Sequence, residues 1–263
     1  MKLSFLFYEP IPELSELARR MAYLKSLGNQ GVELSASFPP PYSVEELSAV
    51  SRELDLPVVS FLSGWSYPHE RICLASPDAD VRRRATERLR TYLDYATPLD
   101  ALVVIGLMQG LRSDEPDSAR AVPRIVECLK AAGDHAASIG GSLVLEPVNH
   151  LQVGYHHSAA EAKSLVAQVE SPGLGYMLDT IHLHIEERSV TQAILDHGPA
   201  IRHFHLCESN GGPFGTGAID FPAVLRSLRA SCYSKYVSVK IYRHLNWAEA
   251  ARSAAEFLRP IWG

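Results

Sequence analysis

The chain has 263 residues, of which 46% are hydrophobic and 21% are charged, and its formal net charge at pH 7 is −5. This balance is typical of a globular protein with a large core, and it argues against a disordered chain or a membrane protein. The acidic net charge, without a basic patch interleaved with aromatic residues, argues against nucleic acid as a partner.

The cysteines and the start of the chain bear on location. Cys73, Cys128, Cys207 and Cys232 form no C-x-x-C pair, which predicts reduced thiols. The first apolar run is broken by Pro10 and carries no cleavage motif, and no apolar stretch approaches the length of a membrane span. We therefore expect a cytoplasmic protein that has no membrane partner.

Eight short β-type runs alternate along the chain with longer segments whose apolar residues recur every three or four positions, the spacing of an amphipathic helix. In chain order the runs are KLSFLFY, GVELS, LPVVSFL, ALVVIGL, SLVLEPV, LGYML, IRHFHL and YVSVKIY. Alternation of this kind implies parallel strands joined by right-handed crossovers. The sequence therefore predicts an α/β protein, a (β/α)₈ TIM barrel that forms one domain over residues 1–263.

Polar side chains come at the ends of several predicted strands, where barrels of this kind form their active sites. Since successive strand residues face opposite sides, we expect Glu146, Asp179, His205 and Lys240 to point into the barrel. Two carboxylates and an imidazole on successive strands favour a divalent cation, most of all Mn²⁺, with Mg²⁺, Co²⁺ or Zn²⁺ as alternatives. The competing interpretation is structural: a helix cap, a surface ion pair or a hydrogen-bonded core histidine.

Several longer motifs extend this pattern, among them RICLASPDADVRRRATERL, LVVIGLMQG, LVLEPVN, LDTIHLHIEE, HFHLCESN and GTGAIDF. With them the chain resembles the xylose-isomerase-like TIM-barrel sugar isomerases and epimerases, and most closely the ketose 3-epimerases. The resemblance implies a metal held by Glu146, Asp179, His205 and a second Glu, and substrate contacts from His182. It also implies enediolate chemistry on a keto-sugar or sugar acid, with Glu146 as catalytic base, in a homodimer or homotetramer.

The fourth position of that pattern is Lys240, so the second catalytic carboxylate is replaced by an ammonium group. A charged lysine cannot be a metal ligand, because it is repelled by the cation. We expect it to pair with Glu146 or Asp179 and leave a three-ligand metal. Loss of its proton, so that it acts as base or ligand, and replacement of the metal by its charge are the alternatives.

Further residues are candidates for substrate contacts. Tyr8 and Trp65 end or follow predicted strands and can pack on a sugar ring, and Gln152 and Glu208 are polar candidates. Other departures from the resembled pattern are Gly211, where an Arg is usual, and Gln152, where a Glu is usual. The moved contacts can come from the nearby histidines, which are His150, His156, His157 and His244.

The glycine-rich segment after the seventh strand is interpreted as a turn that needs positive φ angles, with phosphate binding as the minor alternative. Gly211, Gly212, Gly215 and Gly217 lie in it.

Three functions remain open at the level of sequence. The first is a sugar isomerase or epimerase with Glu146 and an altered partner, Lys240. The second is a metal-dependent lyase, a keto-sugar dehydratase or C-glycoside-cleaving enzyme, because elimination needs one base and no second carboxylate. The third is a catalytically degenerate barrel that only binds a ligand.

Overall fold

The computed structural model describes residues 1–243 and 246–262. Its eight parallel strands form a closed barrel in chain order, and β8 pairs with β1. The strands are β1 Lys2–Phe7, β2 Gly31–Ser35, β3 Val58–Leu62, β4 Leu102–Ile105, β5 Leu143–Leu145, β6 Leu174–Asp179, β7 Ile201–Cys207 and β8 Tyr236–Lys240. The predicted (β/α)₈ TIM barrel is confirmed.

Ten α-helices of the described chain connect and surround these strands. They are α1 Leu14–Ser26, α2 Val44–Glu53, α3 Ser66–Glu70, α4 Ala79–Ala96, α5 Ser118–Ser138, α6 Ala159–Val169, α7 Thr180–Glu186, α8 Val190–His197, α9 Phe221–Ala230 and α10 Trp247–Leu258. Two of them, α3 and α7, follow β3 and β6 directly at the carboxyl mouth and were not predicted. None of the helices in the described ranges has the length and apolarity that a bilayer crossing requires.

The alternation of side chains along the strands is confirmed by two separate apolar clusters. Leu6, Leu62, Val104, Val144 and Met177 fill the barrel interior. The residues predicted to face the helices belong to the other, larger cluster: Leu143, Leu145, Tyr176, Leu178, Phe204 and Leu206. Since apolar side chains already pack both faces of β5 and β6, the polar residues at their ends extend the inward rows to the carboxyl mouth.

Candidate metal centre and substrate cavity

Four polar side chains meet at the carboxyl mouth of the barrel. Asp179 and Lys240 end β6 and β8, His205 lies in β7, and Glu146 follows the last residue of β5. Strand register makes Asp179 and His205 direct neighbours. Each of the four is at most 6% exposed. The sequence thus correctly placed all four on one site.

The two carboxylates converge on one nitrogen of His205. Its Nδ1 lies 3.3 Å from Glu146 Oε1 and 3.5 Å from Asp179 Oδ2. Despite these distances Nδ1 is buried and makes no hydrogen bond within the described chain. An unpaired buried nitrogen facing two carboxylate oxygens is the arrangement expected of a metal ligand set.

The other nitrogen of His205 is fixed from below by an acid that the sequence analysis missed. Glu33 in β2 lies with Oε2 2.9 Å from His205 Nε2 and 3.1 Å from His203 Nε2. Metal-binding histidines commonly donate their second N–H to a carboxylate in this way, which fixes the orientation of the ring. Glu33 therefore directs His205 Nδ1 toward Glu146 and Asp179.

His203, like Glu33, belongs to a buried polar row below the site. Its Nε2 also lies 3.1 Å from Ser238 Oγ, which in turn is 2.7 Å from Ser4 Oγ. The inward direction of His203 was predicted from strand parity, but its partners were not. The inward glutamate in GVELS was a signal available in the sequence, because strand parity applied to β2 would have placed a carboxylate inside the barrel.

The residues present fit a divalent cation. Glu146, Asp179 and His205 supply two oxygens and one nitrogen, a donor set suited to Mn²⁺, Mg²⁺ or Co²⁺. His182 offers a further candidate nitrogen, because ligand atoms of Glu146, Asp179 and His182 lie within 4.8 Å of one another. The fit does not select one metal among these.

Lys240 lies against the same oxygens. Its Nζ donates to Asp179 Oδ2 at 2.7 Å and to Glu146 Oε1 at 3.4 Å. Of the three arrangements considered for this lysine, the structure contains the one in which it pairs with the carboxylates. A cation at this site shares Asp179 and Glu146 with an ammonium group.

Opposing effects set the charges of the cluster. Burial acts to raise the pKa of Glu146, but the charge of Lys240, together with His205 and His182, lowers it to about 2. Burial acts to lower the pKa of Lys240, yet Asp179 and Glu146 hold it well above its usual value. Loss of the lysine proton, one of the alternatives raised from the sequence, is therefore disfavoured in this arrangement.

His205 is also held in its charged form. Burial acts to lower its pKa, whereas Glu33, and then Asp179 and Glu146, hold it well above its usual value. Since a metal ligand must offer a lone pair, cation binding at Nδ1 requires release of one proton.

Asp179 and His182 are both held by further contacts. The second oxygen of Asp179 accepts the backbone N–H of Ile181 at 3.0 Å, so this residue also caps α7. The side-chain amide of Asn149 donates to His182 Nδ1 at 2.8 Å. The proton of neutral His182 then lies on Nε2, which is 3.7 Å from Glu146 Oε1. The structural interpretation of Asp179 as a cap and its functional one hold together.

A cavity of about 370 Å³ opens above the cluster. Glu146, His182 and Lys240 lie at its floor, and Tyr8, Trp65 and Gln152 line it as well. All three of the latter were candidates for substrate contact, and the structure brings them together at one cavity. Its size is within the usual range of small-molecule sites, about 300–1,000 Å³.

Glu208 is a correction to the sequence analysis, because it is not among the residues that line this cavity. It is fully buried, and its carboxylate accepts the backbone N–H groups of Ser209, Gly215 and Ile219 at 2.9, 3.0 and 3.0 Å. A carboxylate that satisfies three loop amides has no free oxygen to offer a substrate. Its position organises the loop instead.

That loop is the glycine-rich segment, which adopts the predicted turn. Gly211 and Gly215 have φ angles of +71° and +82°. The amide of Gly215 is bonded to Glu208, and that of Gly212 to Asn210 Oδ1 at 2.9 Å. Amides used in this way are not available to cradle a phosphate.

The nearby histidines do not line the cavity within the described chain. His150 contacts Glu186 at 2.6 Å, His156 contacts Gln109 at 3.0 Å, and His157 contacts the Val148 carbonyl at 3.0 Å. The hypothesis that these three replace lost substrate contacts is wrong for this structure. The fourth, His244, lies outside the described residues.

With the site on the page, the comparisons with known proteins identify the class of protein. Residues 21–261 match the family described as xylose isomerase-like TIM barrel, and the chain belongs to that family. A solved L-ribulose 3-epimerase superposes with a TM-score of 0.87 at 24% identity, covering 99% of this chain and 94% of that one, a likeness that shows the fold alone.

Among curated proteins, the chain is most informatively similar to epimerases. It is 28% identical to the D-psicose 3-epimerase of Agrobacterium fabrum over 90% of either chain. It is 23% identical to the 3-dehydro-D-guloside 4-epimerase of Escherichia coli over 92% of this chain and 94% of that protein. The 29% match to the ketose 3-epimerase of Arthrobacter globiformis spans 59% of this chain and only 54% of that protein.

Proposed function

We propose that this protein is a metal-dependent isomerase or epimerase of keto-sugars or sugar acids, with Glu146 as the proton-transferring base. The observation that carries the proposal is the position of Glu146. Its carboxylate lies at the floor of the cavity, beside a buried cation and three candidate donors for a metal ion. The named substrates of the relatives, which are ketoses and a dehydro-guloside, all carry a carbonyl group.

Each step assigned to the chain follows from the described contacts. Glu146 is ionised and would take the proton from the carbon next to the carbonyl, so that the C–H electron pair moves into an enediolate. The Lys240 ammonium would stabilise the negative charge that develops on oxygen. His182 Nε2–H would donate to a substrate oxygen. A divalent ion held by Glu146, Asp179 and His205 would supply Lewis-acid polarisation of the carbonyl.

The second step is where this site differs from a pair of opposed carboxylates. A proton must return to the enediolate, and the high pKa of Lys240 makes it a reluctant donor. Return from the protonated Glu146 itself, on the same face, needs no second acid. The arrangement therefore favours a proton shift along one face over inversion.

The same observation supports a lyase as the second candidate. Elimination uses one base and a stabilised enolate, so it tolerates a lysine at position 240. Mass spectrometry separates the two candidates, because elimination changes the mass of the substrate and isomerisation does not.

The test is solvent exchange. The protein loaded with Mn²⁺ is incubated in D₂O with a panel of ketoses and keto-glycosides, and carbon-bound deuterium is followed by NMR. We expect exchange with the native chain and a loss of at least about 100-fold in Glu146→Gln. The absence of exchange on every substrate, with Mn²⁺ bound, would contradict the proposal and favour a barrel that only binds. Cytoplasmic location and assembly into a homodimer or homotetramer stay predictions.

A further inference from the structure

The substrate cavity has two chemically different ends. Its floor carries the charged and polar groups, which are Glu146, His182 and Lys240. Above them the walls are formed mainly by aromatic and aliphatic side chains. We call the aromatic side, formed by Tyr8, Trp65, Tyr67 and Tyr242, the aromatic wall.

Two members of the aromatic wall have spent their polar atoms inside the protein. Trp65 Nε1 donates to the carbonyl oxygen of Tyr8 at 2.8 Å, and the Tyr67 hydroxyl donates to Asp114 Oδ2 at 2.7 Å. Trp65 has no other polar side-chain atom. What these two residues offer to a ligand is therefore their rings.

Aliphatic side chains complete the enclosure. Leu62, Leu107, Leu111 and Val148 line the same cavity, and Leu107 and Leu111 are only half-buried, so they present apolar surface to its contents. A free sugar bound here would lose hydration from hydroxyl groups that find no partner on these walls, which is costly. An apolar group would be stabilised by the same surface.

Gly211 contributes to the apolar character at the other side. A Cβ atom at this position would lie 2.3 Å from Cζ of Tyr242, so a side chain at 211 and the observed ring position are incompatible. The absence of a side chain lets the ring of Tyr242 lie beside the ring of Tyr8, with centroids 5.8 Å apart. An aromatic surface fills the space that a polar side chain would need.

We propose that the substrate is a keto-sugar that carries an aromatic aglycone. The carbonyl end lies at Glu146 and Lys240, and the aglycone packs between the aromatic wall and Leu107 and Leu111. This inference rests on the proposed function for the reaction at the sugar, but the aglycone site rests on the cavity walls alone.

The first experiment measures binding without turnover. The native chain with Mn²⁺ is titrated by calorimetry with p-nitrophenyl β-D-glucoside and with methyl β-D-glucoside, neither of which carries the reactive carbonyl. We expect the aryl glucoside to bind at least about tenfold more tightly, because its ring buries apolar surface. Equal affinity for the two would overturn the inference.

Variants locate the effect. Leu111→Ser and the isosteric Val148→Thr both place a hydroxyl in the apolar wall, and each is expected to remove most of the preference for the aryl ligand. Leu151→Ser, at a position that is 73% exposed and outside the cavity lining, is the matched control and should keep it. If both wall variants fold, by thermal unfolding, and keep the full preference, the aglycone lies elsewhere and the inference fails.

The reaction separates this inference from the proposed function. An aryl keto-glucoside and a methyl keto-glucoside are compared for deuterium exchange, and we expect the aryl group to lower KM more than it raises kcat. Exchange on both without an aryl advantage overturns the inference and leaves the proposed function intact. Aryl-selective binding without exchange on any substrate does the reverse.

Discussion

The ammonium group of Lys240 lies against the oxygens that a divalent cation would use, 2.7 Å from Asp179 and 3.4 Å from Glu146. Lys240→Glu replaces a repelled positive charge by a ligand. Two unit charges at about 4 Å are worth about 4 kcal/mol at an effective dielectric of 20. We therefore expect Lys240→Glu to raise the affinity for Mn²⁺ at least about tenfold, measured by calorimetry in the intact chain.

Two further variants separate ligand from charge. Lys240→Met removes the positive charge without adding an oxygen, so its affinity should lie between those of native protein and Lys240→Glu. Lys235→Met removes a positive charge whose Nζ donates to the Ile201 carbonyl, at the start of β7, and should leave affinity unchanged. Equal Mn²⁺ affinity in all four proteins would show that Lys240 does not compete for the site.

Glu33 acts on the metal centre through His205. Its Oε2 lies 2.9 Å from Nε2 of that ring, while Nδ1 of the same ring faces Glu146. Loss of such a carboxylate partner typically costs about 10–100-fold in metal affinity. We expect Glu33→Gln to weaken Mn²⁺ binding by an amount in that range, measured by calorimetry, with the lost affinity visible as a smaller thermal shift on adding Mn²⁺.

A variant of the neighbouring imidazole provides the control. His203→Gln alters the other partner of Glu33 but leaves the ring that faces the carboxylates, so it should change unfolding more than metal affinity. If Glu33→Gln binds Mn²⁺ as tightly as the native chain, His205 is oriented by its packing and Glu33 is only a structural residue.

These two residues show what the sequence reveals at the scale of side chains. Lys240 could be placed in the site because strand parity fixes its direction and the three other members end neighbouring strands. The role of Glu33 depends on contact between β2 and β7, which are not adjacent in the barrel. Proximity across a barrel interior follows from strand tilt and closure, and neither can be obtained from a short run of residues.

At the scale of elements, the loop from Glu208 to Ile219 is organised by one buried acid. Glu208 accepts three backbone N–H groups, two of them from residues seven and eleven positions further along the chain. Glu208→Gln keeps the size but removes the charge and one acceptor. We expect a loss of about 1–3 kcal/mol in the free energy of unfolding and faster hydrogen exchange at Gly215 and Ile219.

The comparison for this loop is Asp220→Asn. Asp220 caps α9 by accepting the Ala223 amide at 2.9 Å, and asparagine caps helices about as well as aspartate. Its effect on stability should be small. Unchanged exchange at Gly215 in Glu208→Gln would show that the glycine turn holds its shape without the acid.

Glu208 was assigned to substrate because the sequence shows only that it follows a strand that ends at the site. Whether a carboxylate at that point turns into the cavity or into its own loop depends on which amides are left unpaired nearby. Similarly, SLVLEPV was predicted as a seven-residue run, but paired strand structure covers Leu143–Leu145 only. Glu146 leaves the strand there, and Gly106 gives it room, since a Cβ at 106 would lie 2.9 Å from Glu146 Oε2.

At the scale of the whole molecule, closure joins the two ends of the chain. β1 pairs with β8 over Lys2–Phe5 and Tyr236–Val239, and Ser4 and Ser238 share a hydrogen bond inside the barrel. Alternation of strands and helices was enough to predict this architecture, because few other folds accommodate eight consecutive parallel units. The metal site needs closure too, since Lys240 on β8 and Glu146 after β5 reach one another only across the barrel mouth.

Closure also predicts how the protein unfolds. If residues 1–263 form one domain, neither half of the barrel can keep its strands paired after the other has opened, and both should lose structure together. The three tryptophans report on separate regions, Trp65 after β3 and Trp247 and Trp262 in the last part of the chain. Trp247→Phe combined with Trp262→Phe leaves the first reporter, and Trp65→Phe leaves the other two. We expect urea transitions followed by fluorescence to have the same midpoint as circular dichroism in each protein, after correction for the stability change that dichroism itself records. Fluorescence midpoints that differ from the dichroism midpoint of the same variant would mean that part of the barrel opens by itself, and the prediction of one domain would then be wrong.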